Sequence, residues 1–554
     1  MGKANPIVRS SFLSGTVKNS VIKLTLRLPD LKARACLRPE HGPRGSGLTL
    51  SRTSLPRLQR WSLALSKGSI WIILPIVLFF LFSYASAQQK PSESGDAEFY
   101  NNRGMAYMDK GQYDQAISDY NKALEINPRF AYAYSNRGMA YRDKGQYDQA
   151  ISDYNKALEI NPRYAYAYNN RGIAYGDKGQ YDQAISDFNK ALEINPRYAY
   201  AYDNRGMAYR DKGQYDQAIS DYNKALEINP KFAYAYSNRG IAYRSKGQYD
   251  QAISDFNKAL EMNPGYVYAY NHRGITYREK GQYDQAISDF NKALEINPRY
   301  AEPYSNRGMV YMEKGQYDQA ISEYTKALEI NPRYGEAYSN RGRVYGEKGQ
   351  YDQAISDYNK TLEINPRYAE AYNNRGNAYY YKGQYDQAIS DYNKAIEINP
   401  KFAEGYYNRG IACGGKGQYD QALSSFNKAL EINRRFAEAY SNRGITYRRK
   451  GQYDQAISDY NKALEINSRY AEAYNNRGNA YGDKGQYDQA ISDYNKALEI
   501  SPRFAEVYSN RGRAYYLKGE YGKCWEDIKK AQGLGYKIPP KFLDDLRKAS
   551  GKQN

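Results

Sequence analysis

Histidine is nearly absent from this chain: His41 and His272 are the only two in 554 residues. That scarcity excludes a histidine-built metal cluster and a Ser-His-Asp arrangement along most of the sequence. Cysteine is almost as rare, at three (Cys36, Cys413 and Cys524). The last two lie three internal repeats apart, and neighbouring helices stack at about 8–10 Å, so they are expected to be too distant to bridge. A glycine-rich phosphate loop is also missing. The stretch GPRGSG (42–47) lacks the Lys-Ser/Thr of such a loop and has no preceding strand. Mean hydropathy is low, at -0.90, and much of the apolar count is tyrosine, 64 residues. Such a chain cannot build a thick core, but it can build a thin stack in which each unit packs on its neighbours.

Acidic residues are scarce in one region only. Residues 1–68 hold 13 lysines and arginines against two acidic residues, and so carry eleven of the nineteen net positive charges. The rest of the chain is close to balance, which weakens a nucleic-acid reading. Long apolar runs are absent apart from IWIILPIVLFFLFSYASAQQ (70–89). Its core, Ile70 to Phe82, is short for a bilayer span of ~20 residues and matches a signal-peptide core. Lys67 precedes it and Ala85-Ser86-Ala87 supplies an A-x-A cleavage site. The core begins unusually far from the first residue, so three readings stay open: a cleaved signal with a mature start near Gln88, an uncleaved membrane anchor over 69–87, or a transit-like basic arm. The first two place the remainder of the chain outside the cytoplasm, periplasmic or secreted in one case and membrane-anchored in the other.

What is abundant is repetition. Residues 131–164 read AYAYSNRGMAYRDKGQYDQAISDYNKALEINPRY, and the phrase recurs thirteen times at a period of 34 from Ala97 to Ile538 without insertion or deletion. Numbering each unit 1–34, residues 1–14 predict one helix, ended by a lysine and a glycine free to take positive φ (Gly145 in repeat two). Residues 17–30 predict a second helix, with Asp148 in its first turn and Asn161-Pro162 as its stop. The predicted organisation is a basic leader (1–68), the apolar segment (69–87), a linker (88–96), thirteen repeats (97–538), and a capping helix with tail (539–554). PPKFLDDLRKAS (539–550) supplies that cap, with Phe542, Leu543 and Leu546 on one side.

The period of 34, an aromatic residue at position 4, Gly at 8, Tyr at 11, Ala at 20, an aromatic at 24, Ala at 27 and Pro at 32 together resemble the tetratricopeptide repeat. The resemblance covers 97–538 and implies an all-α fold, a right-handed α-solenoid of helix-turn-helix repeats. Two departures stand out. Position 7, usually leucine in that family, is arginine in every copy from Arg103 to Arg511. The thirteenth copy has Cys524 at position 20, and Gly535 replaces the proline after its second helix. Position 23 is Asp or Glu in twelve copies, with Ser425 the exception, so an Arg–Asp pair within each repeat is expected. The charges at 18, 23, 26 and 29 are also expected as i,i+3 pairs on a solvated outer face.

At 100° per residue, positions 4, 8 and 11 of the first helix share the packed face, and 2, 6, 9 and 13 the opposite one. The resemblance implies that this opposite face lines a ligand groove. Position 6 is Asn102, Asn136, Asn170, Asn204, Asn238, His272, Asn306, Asn340, Asn374, Asn408, Asn442, Asn476 and Asn510. Such an asparagine column resembles the groove of O-linked N-acetylglucosamine transferases, which implies backbone contacts to an extended peptide; an inert solvated column is the alternative. Position 2 is Tyr132, Tyr166, Tyr200, Tyr234 and Tyr268 in repeats two to six, and glutamate elsewhere, including Glu302 through Glu506 in repeats seven to thirteen. The face is therefore aromatic, then acidic, unless the change is drift between duplicated blocks. Arg142, Arg210, Arg244 and Arg278, at position 12, are expected to edge the aromatic part.

The function expected from these features is a non-enzymatic scaffold for proteins or extended peptides, with no cofactor, metal, small-molecule substrate or nucleic acid. Transferases with such repeats need a separate large domain, and the sequence offers none beyond the repeats. The alternative is a structural cell-envelope spacer, or a self-associating protein, without a dedicated ligand.

Overall fold

The computed structural model describes residues 96–551. The basic leader, the apolar segment at 69–87, nearly all of the linker and the last three residues lie outside the described residues. All secondary structure among the described residues is α-helical, 27 helices in total. The chain divides into two compact units, 1–282 and 283–554. In unit one the described helices run from Ala97–Asp109 to Val267–Glu279, and in unit two from Tyr283–Ile296 to Pro540–Ser550. Each unit is an α-solenoid of antiparallel helix pairs.

Repeat two shows why the sequence folds this way. Its first helix, Ala131–Asp143, ends at Lys144. Gly145 then takes φ 76, a left-handed conformation that a side chain would resist. That geometry lets the Gly145 and Gln146 amides donate back to the Arg142 and Tyr141 carbonyls, both at 2.8 Å. The second helix, Tyr147–Ile160, stops at Asn161. The Asn161 side chain accepts from the Arg163 amide at 3.1 Å, and Pro162, with no N–H to give, forbids another turn.

Two contacts set the helix spacing. Position 8 must be glycine because a Cβ at Gly138 would sit 2.8 Å from Cε1 of Tyr154. The Tyr154 ring is fully buried there. The small residues at 20 and 27 work across the junction instead. Ala150 packs with Tyr154 and Ala174, and Ala157 with Leu158 and Ala167, so positions 3 and 10 of each first helix seat on the second helix before it. The expected packed face, 4, 8 and 11, is thus only part of the answer: Ala133, Ser135 and Ala140 are buried while Tyr134 and Tyr141 stay half-buried. A helix gripped from two sides needs two rows of small residues.

The arginine at position 7 forms its expected pair. Arg137 donates from Nε and Nη2 to Asp153 at 2.7 Å each, with the guanidinium over the Tyr134 ring at 5.4 Å. Its remaining arm, Nη1, donates to Asn121 of the preceding repeat at 2.6 Å. The same three-armed arrangement recurs in unit two, for example at Arg477 with Asp493 and Asn461. In repeat ten, Ser425 replaces the acid and accepts from Arg409 at 3.0 Å. The acid at 23 therefore leaves the solvated face. The aspartate at position 18 is not solitary either, since Lys144 reaches Asp114 of the preceding repeat at 2.5 Å. At the far end of unit two, the helix Pro540–Ser550 lays Leu546 fully buried against Cys524, Ile528 and Ala531, with Phe542 and Leu543 beside it. It covers an apolar end that would otherwise face water.

Candidate functional site

The five tyrosines of position 2 all lie in unit one, and the structure joins them into one line. The residue at position 34, in the turn before each first helix, inserts its ring between consecutive position-2 rings. Tyr132 meets Tyr164 at 5.0 Å, Tyr166 meets Tyr198 at 6.4 Å, Tyr200 meets Phe232 at 4.8 Å and Tyr234 meets Tyr266 at 5.0 Å. Within each turn the two rings stand 6.1–6.4 Å apart, from Phe130–Tyr132 to Tyr266–Tyr268. The result is an unbroken ladder of ten rings, each contact worth about 0.5–1.5 kcal/mol beyond area burial. Tyr132 is 56% exposed, and Tyr166, Tyr200, Tyr234 and Tyr268 are half-buried. Burial pushes the phenols of Tyr164 and Tyr198 above the usual tyrosine range, so these two rings stay neutral. The turn residues had escaped sequence reasoning because position 34 lies outside the helical wheel.

In unit two, glutamates replace the position-2 rings. Burial raises Glu336, and burial followed by the neighbouring Glu370 charge raises Glu404. The reciprocal effect shows at Tyr334, raised first by burial and then by Glu336 and Glu302.

The asparagine column is largely committed within the protein. Asn136 donates to Asn101 at 2.9 Å, Asn204 to Asn169 at 2.9 Å, and Asn238 to Asp203 at 3.1 Å. In unit two, Asn408 donates to Asn373 at 3.0 Å, Asn442 to the Tyr407 hydroxyl at 3.1 Å, and Asn510 to Asn475 at 3.0 Å. In each case the acceptor is position 5 of the preceding repeat, and only Asn442 also donates to a backbone carbonyl, that of Glu438 at 2.9 Å; the amide oxygen is not used in these bonds. A serine at position 5 is too short to take this role, as before Asn340, Asn374 and Asn476, which are half-buried like Asn306. Asn170 is buried at 4% exposure with its Nδ2 unpartnered, and its oxygen accepts from Asn169 at 3.4 Å. Asn102 is exposed.

His272 stacks on Phe256 at 6.2 Å, with Nη1 of Arg244 3.4 Å from its Nδ1. Burial, then the Arg244 and Arg210 charges, hold the imidazole well below its usual range. A permanent donor facing Nδ1 makes that nitrogen the acceptor. The position-12 arginines do more than edge the face. Arg142 and Arg210 are tucked in, at 13% and 14% side-chain exposure, against Asp143 and Asp211 at 2.8 Å each.

Among the described residues no group of three or more His, Cys, Asp or Glu side chains is placed to hold a metal, and no helix is long and apolar enough to cross a membrane. Cys413 and Cys524 are free and buried.

The repeats match family models. One described as "TPR repeat" matches residues 138–179, 206–244, 276–315, 308–349, 342–381, 446–485 and 478–519. Two described as "Tetratricopeptide repeat" match 97–130, 165–198, 233–266, 369–402 and 403–436, and 119–152, 188–220, 256–288 and 425–458. Nothing matches among curated proteins. Among solved structures, the chain is similar to an APC/C hetero-tetramer of Cut9 and Hcn1, at 16% identity, 84% of this chain and 97% of that one, TM-score 0.44. It is similar to yeast Tom70 at 19% identity, 76% and 96% coverage, TM-score 0.37. A tetratricopeptide repeat protein from Parabacteroides merdae is 24% identical over 45% of this chain and 98% of that one, TM-score 0.39.

Proposed function

We propose a function on one premise: the chain belongs to the tetratricopeptide repeat family. Chains of this family typically serve as protein-interaction scaffolds. Here the reading is a non-enzymatic scaffold that holds extended segments of partner proteins against its first helices. One observation carries it, the ring ladder from Phe130 to Tyr268. Tyrosine offers large contact area at small entropic cost, with a hydroxyl for hydrogen bonding. The asparagine column joins the site as a line of side-chain amides, and the glutamates of unit two give the scaffold a second, acidic surface. The apolar run at 69–87 and its A-x-A site support a location outside the cytoplasm, released or anchored.

The test is co-purification from the native host, comparing the intact protein with one in which Tyr132, Tyr166, Tyr200, Tyr234 and Tyr268 are all alanine. The expected result is a set of specific partners that the variant loses. If both forms recover the same partners, or neither recovers any, the ladder is not the site and a spacer role replaces the scaffold.

A further inference from the structure

Repeat three differs from its neighbours at position 12, where it carries Gly176 in place of the arginine found in repeats two, four, five and six. Other repeats show where a side chain at position 12 goes. Arg244 reaches residues 6 and 13 of the next repeat, lying 3.4 Å from His272 and 4.0 Å from Glu279. Arg448 reaches Asp483, again residue 13 of the next repeat, at 2.6 Å. In repeat one the occupant is Met108, buried with Tyr120, Met139 and Ala140. In these three repeats position 12 reaches toward the next repeat, whereas Arg142 and Arg210 pair with residue 13 of their own.

At Gly176 the space toward the next repeat stays open. A Cβ built there meets no atom within 4 Å, and a recess appears whose walls include Phe188, Asn204, Met207, Ala208 and Asp211; Asn204 and Asp211 hold positions 6 and 13, the two that Arg244 reaches in the repeat after its own. It offers about 20 Å³ to the centre of a water molecule, enough for one water or for the flat end of one slender side chain. Three other repeats carry glycine at position 12, but Gly346, Gly414 and Gly482 are followed at position 13 of the next repeat by Tyr381, Arg449 and Leu517. Only Gly176 leaves the volume empty beside a carboxylate.

We propose that this recess is a subsite for one arginine side chain of a bound peptide, the guanidinium entering as Arg244 does between repeats five and six. The proposal rests on the peptide-scaffold reading and adds the residue that the scaffold selects. A guanidinium is planar and stacks on an aromatic face, here Phe188. Asp211 takes Arg210 on Oδ1, at 2.8 and 3.0 Å, and a carboxylate has lone pairs for more than one donor. Asn204 spends one N–H on Asn169 and offers its oxygen. Lysine, a compact and strongly hydrated point charge, does not match a flat slot beside a ring.

The test is a selection of random displayed peptides on the intact chain, followed by affinity measurement with three variants. Gly176→Arg and Gly176→Met close the recess with residues that other repeats carry at this position, the second without adding charge. Gly176→Ala leaves most of it open. Circular dichroism and melting confirm that each variant is folded. The expected result is a fixed arginine in the selected peptides and a loss of about tenfold or more in affinity for both closing variants, with little change for Gly176→Ala. Changing the peptide arginine to lysine or leucine should weaken binding to the native chain to the same degree and leave the closing variants unaffected. Peptides selected without arginine, or bound equally by the closing variants, would overturn the subsite; if the five-tyrosine variant still loses them, the scaffold reading stands alone. A selection that yields no peptide removes both.

Discussion

Replacing Arg205 with alanine should destabilise the fourth repeat in a way that depends on pH. Arg205 gives Asp221 two hydrogen bonds, at 2.7 and 2.6 Å, and gives Asn189 of the preceding repeat a third at 2.6 Å. Asp221 is 5% exposed, so without the guanidinium its charge has neither solvent nor counter-ion. The carboxyl then takes a proton. Holding a carboxyl of ordinary pKa, near 4, neutral at pH 7 costs about 4 kcal/mol, and at pH 5 about 1.4 kcal/mol. These figures cap the electrostatic loss. Burial already raises Asp221 above the usual carboxylate range, with Arg205 pulling it back, so removing the arginine moves it further up. A folded-state value above the unfolded one gives stability in acid that is lost as pH rises through the folded value. The penalty therefore grows from pH 5 to pH 7, over a constant part of about 1 kcal/mol for the lost bond to Asn189. Amide hydrogen exchange of the helix Tyr215–Ile228 at the two pH values measures it. Adding Asp221→Ala removes the stranded charge and should recover part of the loss. Equal losses at both pH values, or a double variant less stable than the single one, would refute the argument.

Other consequences are as direct. A Cβ at Gly410 would lie 2.6 Å from the Phe426 ring, whereas at Gly512 it would lie 3.2 Å from the terminal methyl of Ile528. Gly410→Ala should cost about 1–3 kcal/mol and Gly512→Ala clearly less, read by exchange in each repeat; the reverse order would show that ring contact does not set the spacing. His272, held neutral, confers stability above the ordinary histidine pKa that is lost as pH falls below it. Exchange in Val267–Glu279 should quicken between pH 7 and pH 5, beyond the intrinsic rate, and His272→Asn should abolish the effect. Burial pushes the Cys524 thiol up to about 12 and raises Cys413 as well. Both should label with a thiol reagent only as the chain unfolds, and rapid native labelling of either would contradict their placement.

Much of this fold could be read from one repeat, because glycine, alanine and aromatic residues at fixed spacing leave few ways to pack two helices. The Arg–Asp pair was legible for the same reason: two complementary charges recur at positions that antiparallel helices bring together. What escaped lies between repeats. The third arm of Arg137, the acceptor for Asn136 and the ring of Tyr164 all belong to contacts that a helical wheel drawn for one repeat does not contain. The asparagines looked available because a wheel shows which way a side chain points and not what the preceding helix has placed there. The Gly176 recess is harder still to see, since it needs position 12 of one repeat and position 13 of the next to be considered as one site.

The junction contacts also bear on how such a chain changes over time. Arg171 reaches back to Asn155 and Lys178 to Asp148; Arg375 reaches back to Asn359 and Lys484 to Asp454. Because these couplings are nearly the same at each seam, deleting or duplicating one 34-residue block regenerates a seam of the kind already present. Array length can therefore drift by recombination at little folding penalty, while the few irregular residues, Gly176 among them, mark individual addresses on an otherwise uniform ruler.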